Sequence, residues 1–467
     1  MEPLGLKDVI KAIDGVVVSG NPDVTVQGVA IDSRRIEPGQ LFFAFKGNKV
    51  DGHDFVGEAL RRGAVGAVIS KPVAVVTDRP LIRVQDPYKA LQDLARYYRS
   101  LFQIPVVGVT GSTGKTTTKE LIAGVLGVRF SVLKTSGNYN NELGLPLTVL
   151  QLHKGHEVAV LEMAMRGRGE IASLCDISRP LVGVITNIGR THLELLGTQE
   201  AIAEAKGELL ESLPPEGCAV LNPKDPWQMK LREKAKSNIL YYGDSEECDV
   251  RALSVRSLGL SGSVFLLRTP RGEALCRLPL PGLHNVTNAL AAAAVGHWFG
   301  LTPAEIAAGL EEVTAAGMRL EIKDGIKGSK IIDDSYNANP DSVKAALNLL
   351  AQVSEKRRGI AVLGDMYELG EETVSGHREV GIKAAELEID CLCTVGKLAR
   401  EIAYGALGDG MPPDRVHVFD DKSQAIEFLK AFLQEGDLVL IKGSRGMKME
   451  EIVWALTEKV NFDGCEK

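Results

Sequence analysis

Residues 108–116 read Gly-Val-Thr-Gly-Ser-Thr-Gly-Lys-Thr. A short apolar run, Val106 to Thr110, leads into them, and a helical pattern from Thr116 to Leu126 leads out. A strand, a glycine-rich turn and a helix form the phosphate-binding unit of α/β folds. The glycines let backbone N–H groups close around phosphate oxygens, a lysine reaches the β/γ phosphates, and a threonine hydroxyl can ligate Mg²⁺. The candidate nucleotide contacts are therefore Gly111, Ser112, Thr113, Gly114, Lys115, Thr116 and Thr117, with Lys115 on phosphate and Thr116 on the metal. The spacing departs from the usual Gly-x4-Gly-Lys-[Ser/Thr]: Val109 stands where the first glycine is expected, and Gly108 comes one residue early. The loop is read from its context, and it indicates nucleotide binding without choosing between a hydrolase, a kinase, a switch and a ligase.

Two further residues are placed to act near such a loop. Glu162 ends the run Val158-Ala-Val-Leu161, and His192 follows the strand-like Leu181–Thr186 in Asn187-Ile-Gly-Arg-Thr-His192. A carboxylate and an imidazole above adjacent strand ends suit a Mg²⁺ site, and they equally suit a surface Glu and a loop His. Lys206 lies mid-helix in Ala203-Glu-Ala-Lys206-Gly-Glu208. By itself it reads as a solvated lysine paired with glutamates at three or four residues' spacing.

The elements that must carry these groups suggest an α/β protein of about three domains for 467 residues. Strands are expected at Val24–Ile31, Gln40–Phe45 and Ala64–Ser70, and a helix at Pro87–Leu101. The character changes at Ile104-Pro105. Beyond it, buried-looking runs at Glu157–Glu162, Leu181–Thr186 and Cys218–Leu221 have the form of parallel-sheet strands, with helices at Thr198–Leu210 and Asn285–Phe299. The last third alternates: strand Lys330–Asp333, helix Pro340–Leu350, strand Gly359–Leu363, and finally strand Asp437–Lys442 with a helix after Gly446. That pattern predicts a small doubly wound parallel sheet, whose function sits at the strands' carboxyl ends.

Composition excludes several classes. The formal charge of −7, from 54 basic and 61 acidic residues, is no nucleic-acid footprint. The longest apolar stretch, Asn288 to Gly300, is too short to span a membrane, and the first residues carry no secretory signal pattern. Seven cysteines (175, 218, 248, 276, 391, 393 and 465) form no Cys-x-x-Cys pair, as expected of scattered reduced thiols in a cytoplasmic protein.

Taken together, ordered segments along essentially the whole chain resemble the Mur ligases. They are Asp32-Ser-Arg34 with Asp51-Gly-His53, the phosphate loop, Ser136-Gly-Asn138-Tyr-Asn-Asn141, Glu162, and Thr186-Asn-Ile-Gly189 with His192. The series continues through Ala205-Lys206-Gly-Glu208, Pro281-Gly-Leu-His-Asn285-Val-Thr-Asn288, Arg319, Asp334-Ser-Tyr-Asn337-Ala-Asn339-Pro340, Leu363-Gly-Asp-Met366 with Glu368-Leu-Gly370, and Lys442-Gly-Ser-Arg-Gly446. The resemblance is closest to the member that adds D-alanyl-D-alanine to UDP-N-acetylmuramoyl-tripeptide.

The resemblance implies three domains: a UDP-sugar-binding α/β module over 1–103, a central P-loop parallel-sheet ATPase domain over 104–315, and a C-terminal Rossmann-like domain over 316–467. It implies ATP and Mg²⁺, an acyl-phosphate intermediate, and a monomer with no nucleic-acid partner. Glu162 and His192 match the family's metal positions, and Lys206 matches a lysine that several members carbamylate, giving an anion beside a second Mg²⁺ and a catalytic part together with Lys115 and His192. Asn285 and Asn288 match positions at the adenine, although Asn285 could equally cap the apolar helix that follows. Arg319 matches a contact to phosphate and Asp334 one to ribose. Ser33 and Arg34 match positions facing the UDP-sugar, and Asn138, Asn141, Asn337 and Asn339 match other substrate positions, the last two at the dipeptide. Residues 102–105 and 315–317 could serve as hinges. Two alternatives stay open: a Mur ligase adding a single amino acid, and a P-loop switch without ligase activity. Folylpolyglutamate synthetase suits the later domains and not the first.

Overall fold

The computed structural model describes residues 1–47, 50–191, 193–354 and 357–457. Their strands form three principal sheets, one after another along the chain.

The first sheet has five strands in the order Val16–Ser19, Leu81–Arg83, Gly66–Ile69, Gln40–Phe43 and Gly28–Ala30. All pairings are parallel except at the edge, where Val16–Ser19 runs against Leu81–Arg83. The strand expected over Val24–Ile31 divides in two. Thr25–Val26 pairs with Leu4–Gly5 in a small separate ladder, and Gly28–Ala30 joins the main sheet. The break falls at Gln27, whose N–H leaves both ladders and donates to the Gly39 carbonyl at 2.8 Å.

Helix Pro87–Ser100 begins where the Asp86 carboxylate accepts the Tyr88 N–H, with proline at its first position. Leu91, Leu94 and Tyr98 recur three or four residues apart and make one apolar stripe. That stripe is buried in a single core with Leu145, Val149, Ile171 and Leu174, which lie beyond the first linker. The linker at 102–105, expected as a hinge, is fastened by the buried Arg99. Its guanidinium donates to the carbonyls of Ser178 (2.9 Å), Phe102 (2.7 Å) and Ile104 (2.7 Å). Arg99→Ala would leave these carbonyls without their donor, and a loss of about 3 kcal/mol in unfolding free energy is expected. A denaturant midpoint equal to wild type would show that water replaces the guanidinium.

The central sheet has nine strands in the order Gly272–Leu278, Ser263–Thr269, Val250–Ser257, Asn238–Gly243, Cys218–Leu221, Val182–Ile185, Val106–Thr110, Val158–Glu162 and Val132–Lys134. It is parallel from Val132–Lys134 as far as Val250–Ser257 and ends in an antiparallel hairpin. The sequence reading missed this hairpin, although Ser263–Thr269 alternates strictly between buried and half-buried positions. The inner strands are buried along their whole length because helices cover both faces.

The third sheet has six strands in the order Glu321–Asp324, Lys330–Asp334, Leu438–Lys442, Gly359–Gly364, Cys391–Val395 and Val416–Phe419. Only the Glu321–Asp324 edge is antiparallel. It follows a linker in which Met318 and Leu320 hold positive φ angles of 60° and 53°. Non-glycine residues rarely adopt this left-handed region. Among the described residues no helix is long and apolar enough to cross a membrane. The six described cysteines are free and buried, and Cys465 lies outside the described residues.

Candidate active site

The phosphate loop leaves the strand Val106–Thr110 and enters helix Lys115–Gly127. Gly108 belongs to the strand, not to the loop. A Cβ there would sit 3.0 Å from both Leu209 and Met163, so core packing accounts for this glycine and for the displaced spacing. The loop proper runs from Gly111 (φ +149°) to Gly114 (φ +77°). At Gly111 a Cβ would collide with the Thr186 hydroxyl.

The segment after Val182–Ile185 clamps the loop. Asn187 accepts the Thr113 N–H at 3.0 Å through its side chain and the Ser112 N–H at 2.9 Å through its carbonyl. Thr186 Oγ1 donates to the Thr113 carbonyl at 2.6 Å, and Ser112 Oγ accepts the Gly189 N–H at 2.9 Å. Lys115 turns its ammonium onto the Gly111 carbonyl at 2.8 Å. Burial lowers its pKa most, the carboxylate of Glu162 opposes that shift, and Arg319 adds to it.

Glu162 ends its strand one sheet position away. Its Oε1 accepts from Asn140 Nδ2 at 2.8 Å, while its buried Oε2 has no hydrogen-bond partner. A desolvated carboxylate oxygen without a partner is costly unless a cation meets it. Together with the Thr116 hydroxyl in the same cavity, this donor set fits Mg²⁺, which binds one or two carboxylates and completes its shell with phosphate oxygens and water. Among the described residues no three His, Cys, Asp or Glu side chains cluster as a metal cage. His192 lies outside the described residues.

Lys206 overturns its solvated reading. It is 2% exposed, and among the described residues its ammonium has no hydrogen-bond or ion-pair partner. On helix Gln199–Glu211 its neighbours at three and four residues are Ile202, Ala203, Leu209 and Leu210, all buried. The glutamates stand two residues away on another face. Glu204 pairs with Arg168, and Glu208 accepts the Gly169 and Ala172 N–H groups at 2.6 and 2.9 Å. Burial, and then the nearby charge of Lys115, holds the Lys206 pKa well below its ordinary value.

Facing the loop are the carboxyl ends of the third sheet. Asp334 pairs with Lys442 at 2.6 Å, and Lys442 also donates to the Asn337 carbonyl at 2.8 Å. Arg319 stacks over the Tyr336 ring with its Cζ 4.2 Å from the centroid. Asn339 Oδ1 accepts the Ser342 N–H at 2.9 Å and caps helix Pro340–Val353, which leaves its Nδ2 free of the cap. Asn285 does not cap its helix. Its Nδ2 donates to the Pro281 carbonyl at 2.8 Å, and its Oδ1 accepts from Asn288 Nδ2 at 3.0 Å. Asn288 lies against Gly114 of the loop. One cavity of about 460 Å³ is lined by residues 112–117, Glu162, Asn285, Asn288, Arg319, Asp334, Asn337 and Asn339.

Three family profiles match in order along the chain: "Mur ligase family, catalytic domain" over 25–99, "Mur ligase middle domain" over 109–296 and "Mur ligase, glutamate ligase domain" over 318–445. The UDP-N-acetylmuramoyl-tripeptide--D-alanyl-D-alanine ligase of Bacillus subtilis (strain 168) is 39% identical over 455 residues, covering 97% of this chain and 98% of that protein. The enzyme of the same name from Escherichia coli (strain K12) is 37% identical, with 93% and 95% covered. The chain belongs to the Mur ligase family. A MurF crystal structure from Acinetobacter baumannii superposes with a TM-score of 0.89 at 33% identity, covering 97% of this chain and 98% of that one. MurF ligase from Thermotoga maritima, in complex with ADP, gives a TM-score of 0.79 at 31% identity, with 92% and 97% covered.

Within this Mur ligase the expected substrate residues do not all converge. Asn138 is exposed outside the cavity, and Asn141 Oδ1 is taken up by the Gly144 N–H at 2.9 Å, at the start of helix Gly144–Val149. Ser33 and Arg34 sit in the first domain, where Ser33 Oγ donates to Glu58 at 3.4 Å and the exposed Arg34 pairs with Asp32 at 2.8 Å. Three side chains at the site were not singled out from sequence: Asn140, Asn187 and Lys442. Asn140 stood in a run of asparagines whose members only the turn geometry distinguishes.

Proposed function

We propose that this Mur ligase uses ATP to join D-alanyl-D-alanine to UDP-N-acetylmuramoyl-tripeptide in the cytoplasm. The observation that carries the reading is the single cavity in which the phosphate loop and Glu162 face Arg319, Asp334 and Asn337 of the third domain. A phosphoryl donor and an incoming amine need just such opposed walls. The reading takes the protein to act as a monomer.

In this reading the terminal carboxylate of the tripeptide attacks the γ-phosphate of ATP. Backbone N–H groups of residues 114–117 cradle the phosphates, and the Lys115 and Arg319 cations spread over the transferring group. Thr116 and Glu162, with His192 and a carbamylated Lys206 as further proposed contacts, would hold Mg²⁺, which would neutralise charge on the phosphates. ADP leaves as the acyl phosphate forms, and the amine of the dipeptide then attacks its carbonyl carbon and gives up a proton. The tetrahedral adduct collapses to an amide and inorganic phosphate. Asn285 and Asn288 are assigned to the nucleotide base, Asp334 to the ribose, Asn337 and the free Nδ2 of Asn339 to the dipeptide. Ser33, Arg34, Asn138 and Asn141 are assigned to the UDP-tripeptide.

The test is phosphate release with ATP, Mg²⁺, UDP-N-acetylmuramoyl-tripeptide and D-alanyl-D-alanine, each substrate alone and then together. Release that requires both, with a UDP-linked pentapeptide as product, is expected. Turnover with single amino acids instead would move the chain to another branch of the family. Hydrolysis indifferent to both substrates would discard the ligase reading.

A further inference from the structure

The segment that clamps the phosphate loop also reaches the third domain through one side chain. Ser112 is bonded to Gly189, and the next residue, Arg190, turns its guanidinium outward across the seam. There it meets carboxylates on two third-domain helices. Glu379, within Thr373–Glu386, accepts from Nη2 at 2.6 Å and from Nη1 at 3.1 Å. Glu372, just before that helix, accepts from Nη1 at 3.2 Å, and Asp341, in the first turn of Pro340–Val353, lies 4.0 Å from Nη2. Lys344 supports the same carboxylates, 3.2 Å from Glu379 and 3.7 Å from Asp341.

The backbones also close up here. A Cβ on Gly370 would come within 3.0 Å of the Glu194 Cα, and one on Gly189 within 2.9 Å of the Asp341 carboxylate. Arg190 is about one-quarter exposed, and its bidentate fork to Glu379 is a geometry that lysine cannot reproduce. Nothing in the proposed chemistry uses this cluster.

We infer that Arg190 is a positioning residue: an ionic latch that ties the phosphate loop to the third domain and holds the amine-binding wall over the nucleotide. The geometry follows a short path, from Ser112 through Gly189 and Arg190 to Glu379 and helix Thr373–Glu386. The linker at 315–317, the packing of Leu193–Leu196 against Gly370–Glu372 and of Leu260 on the third-domain core, and this latch together fix the third domain on the central one. Without the latch the spacing between the walls rests on the linker and these uncharged contacts. The loop keeps its own clamp through Asn187 and Thr186, so the nucleotide keeps its loop contacts and loses only those to Arg319 and Asp334, while the amine loses its whole wall.

The inference rests on the ligase reading for its kinetic arm, so a second arm is independent of activity. The full-length chain is compared as wild type, Arg190→Met, Arg190→Lys, Glu379→Gln and the Arg190→Met/Glu379→Gln double variant. Small-angle scattering reads the radius of gyration, and ligation reads KM for D-alanyl-D-alanine and for ATP. Arg190→Met is expected to enlarge the molecule and to raise KM for the dipeptide about fivefold, and KM for ATP by less, because the phosphate loop keeps its own contacts. Arg190→Lys should fall between, and the double variant should be no worse than Arg190→Met, because both changes remove one interaction. An unchanged radius and dipeptide KM in Arg190→Met, or strictly additive effects in the double variant, would overturn the latch. Wild-type protein that fails to ligate would count against the ligase reading, and the scattering arm would still decide the latch.

Discussion

Lys115→Ala is expected to reduce ligation by roughly a thousandfold or more, with the melting temperature close to wild type. The ammonium sits at the first turn of helix Lys115–Gly127, among the carbonyls of Gly111 and Ser112, where the phosphates would lie. Its side chain is not part of a packed apolar core, so removing it costs charge stabilisation more than stability. Lys115→Arg should not rescue, because a planar fork cannot replace a compact point charge between closely spaced phosphate oxygens. Turnover of Lys115→Ala within tenfold of wild type would contradict the role assigned to the loop.

Lys206→Met separates function from stability in the opposite sense. The lysine is 2% exposed, lies on the apolar face of its helix and has no partner among the described residues. A buried amine without a hydrogen bond is a burden on the fold. A thioether of similar length fills the same space, so the melting temperature should hold or rise. Ligation should fall about a hundredfold, as when a supporting group of a metal site is lost. A variant that is equally active would make Lys206 a structural residue, and one that is inactive because it is unfolded would contradict the stability argument.

The contrast between these two lysines shows what the sequence made legible. Lys115 could be placed from its neighbours, because strand, glycines and helix are all local. Read from its neighbours alone, Lys206 looks solvated, because proximity of Glu204 and Glu208 in the chain suggests pairing; only the family resemblance gives it a place at the metal. The helical period says otherwise: residues at three and four from Lys206 are Ile202, Ala203, Leu209 and Leu210. That signal was present and would have placed the lysine in the core.

The inner parallel strands were readable as continuous apolar runs. The hairpin Ser263–Leu278 was not taken up, although its alternation marks a sheet edge. The partners of Arg190 lie about 150 or more residues away, at Asp341, Glu372 and Glu379, and no local pattern joins them. The site's own wall was half legible. Asp334 and Asn337 were picked out, while Lys442, which bonds both, was recognised only as part of a motif.

The central claim is that bond formation passes through an acyl phosphate made from the tripeptide. It is tested by labelling both oxygens of the tripeptide's terminal carboxylate with oxygen-18 and measuring the mass of the released phosphate. If that carboxylate attacks the γ-phosphorus and the amine then displaces phosphate from the carbonyl carbon, one labelled oxygen leaves in each phosphate and one stays in the new amide. Phosphate without label would mean that its oxygen came from water, and the mechanism built on this cavity would be wrong.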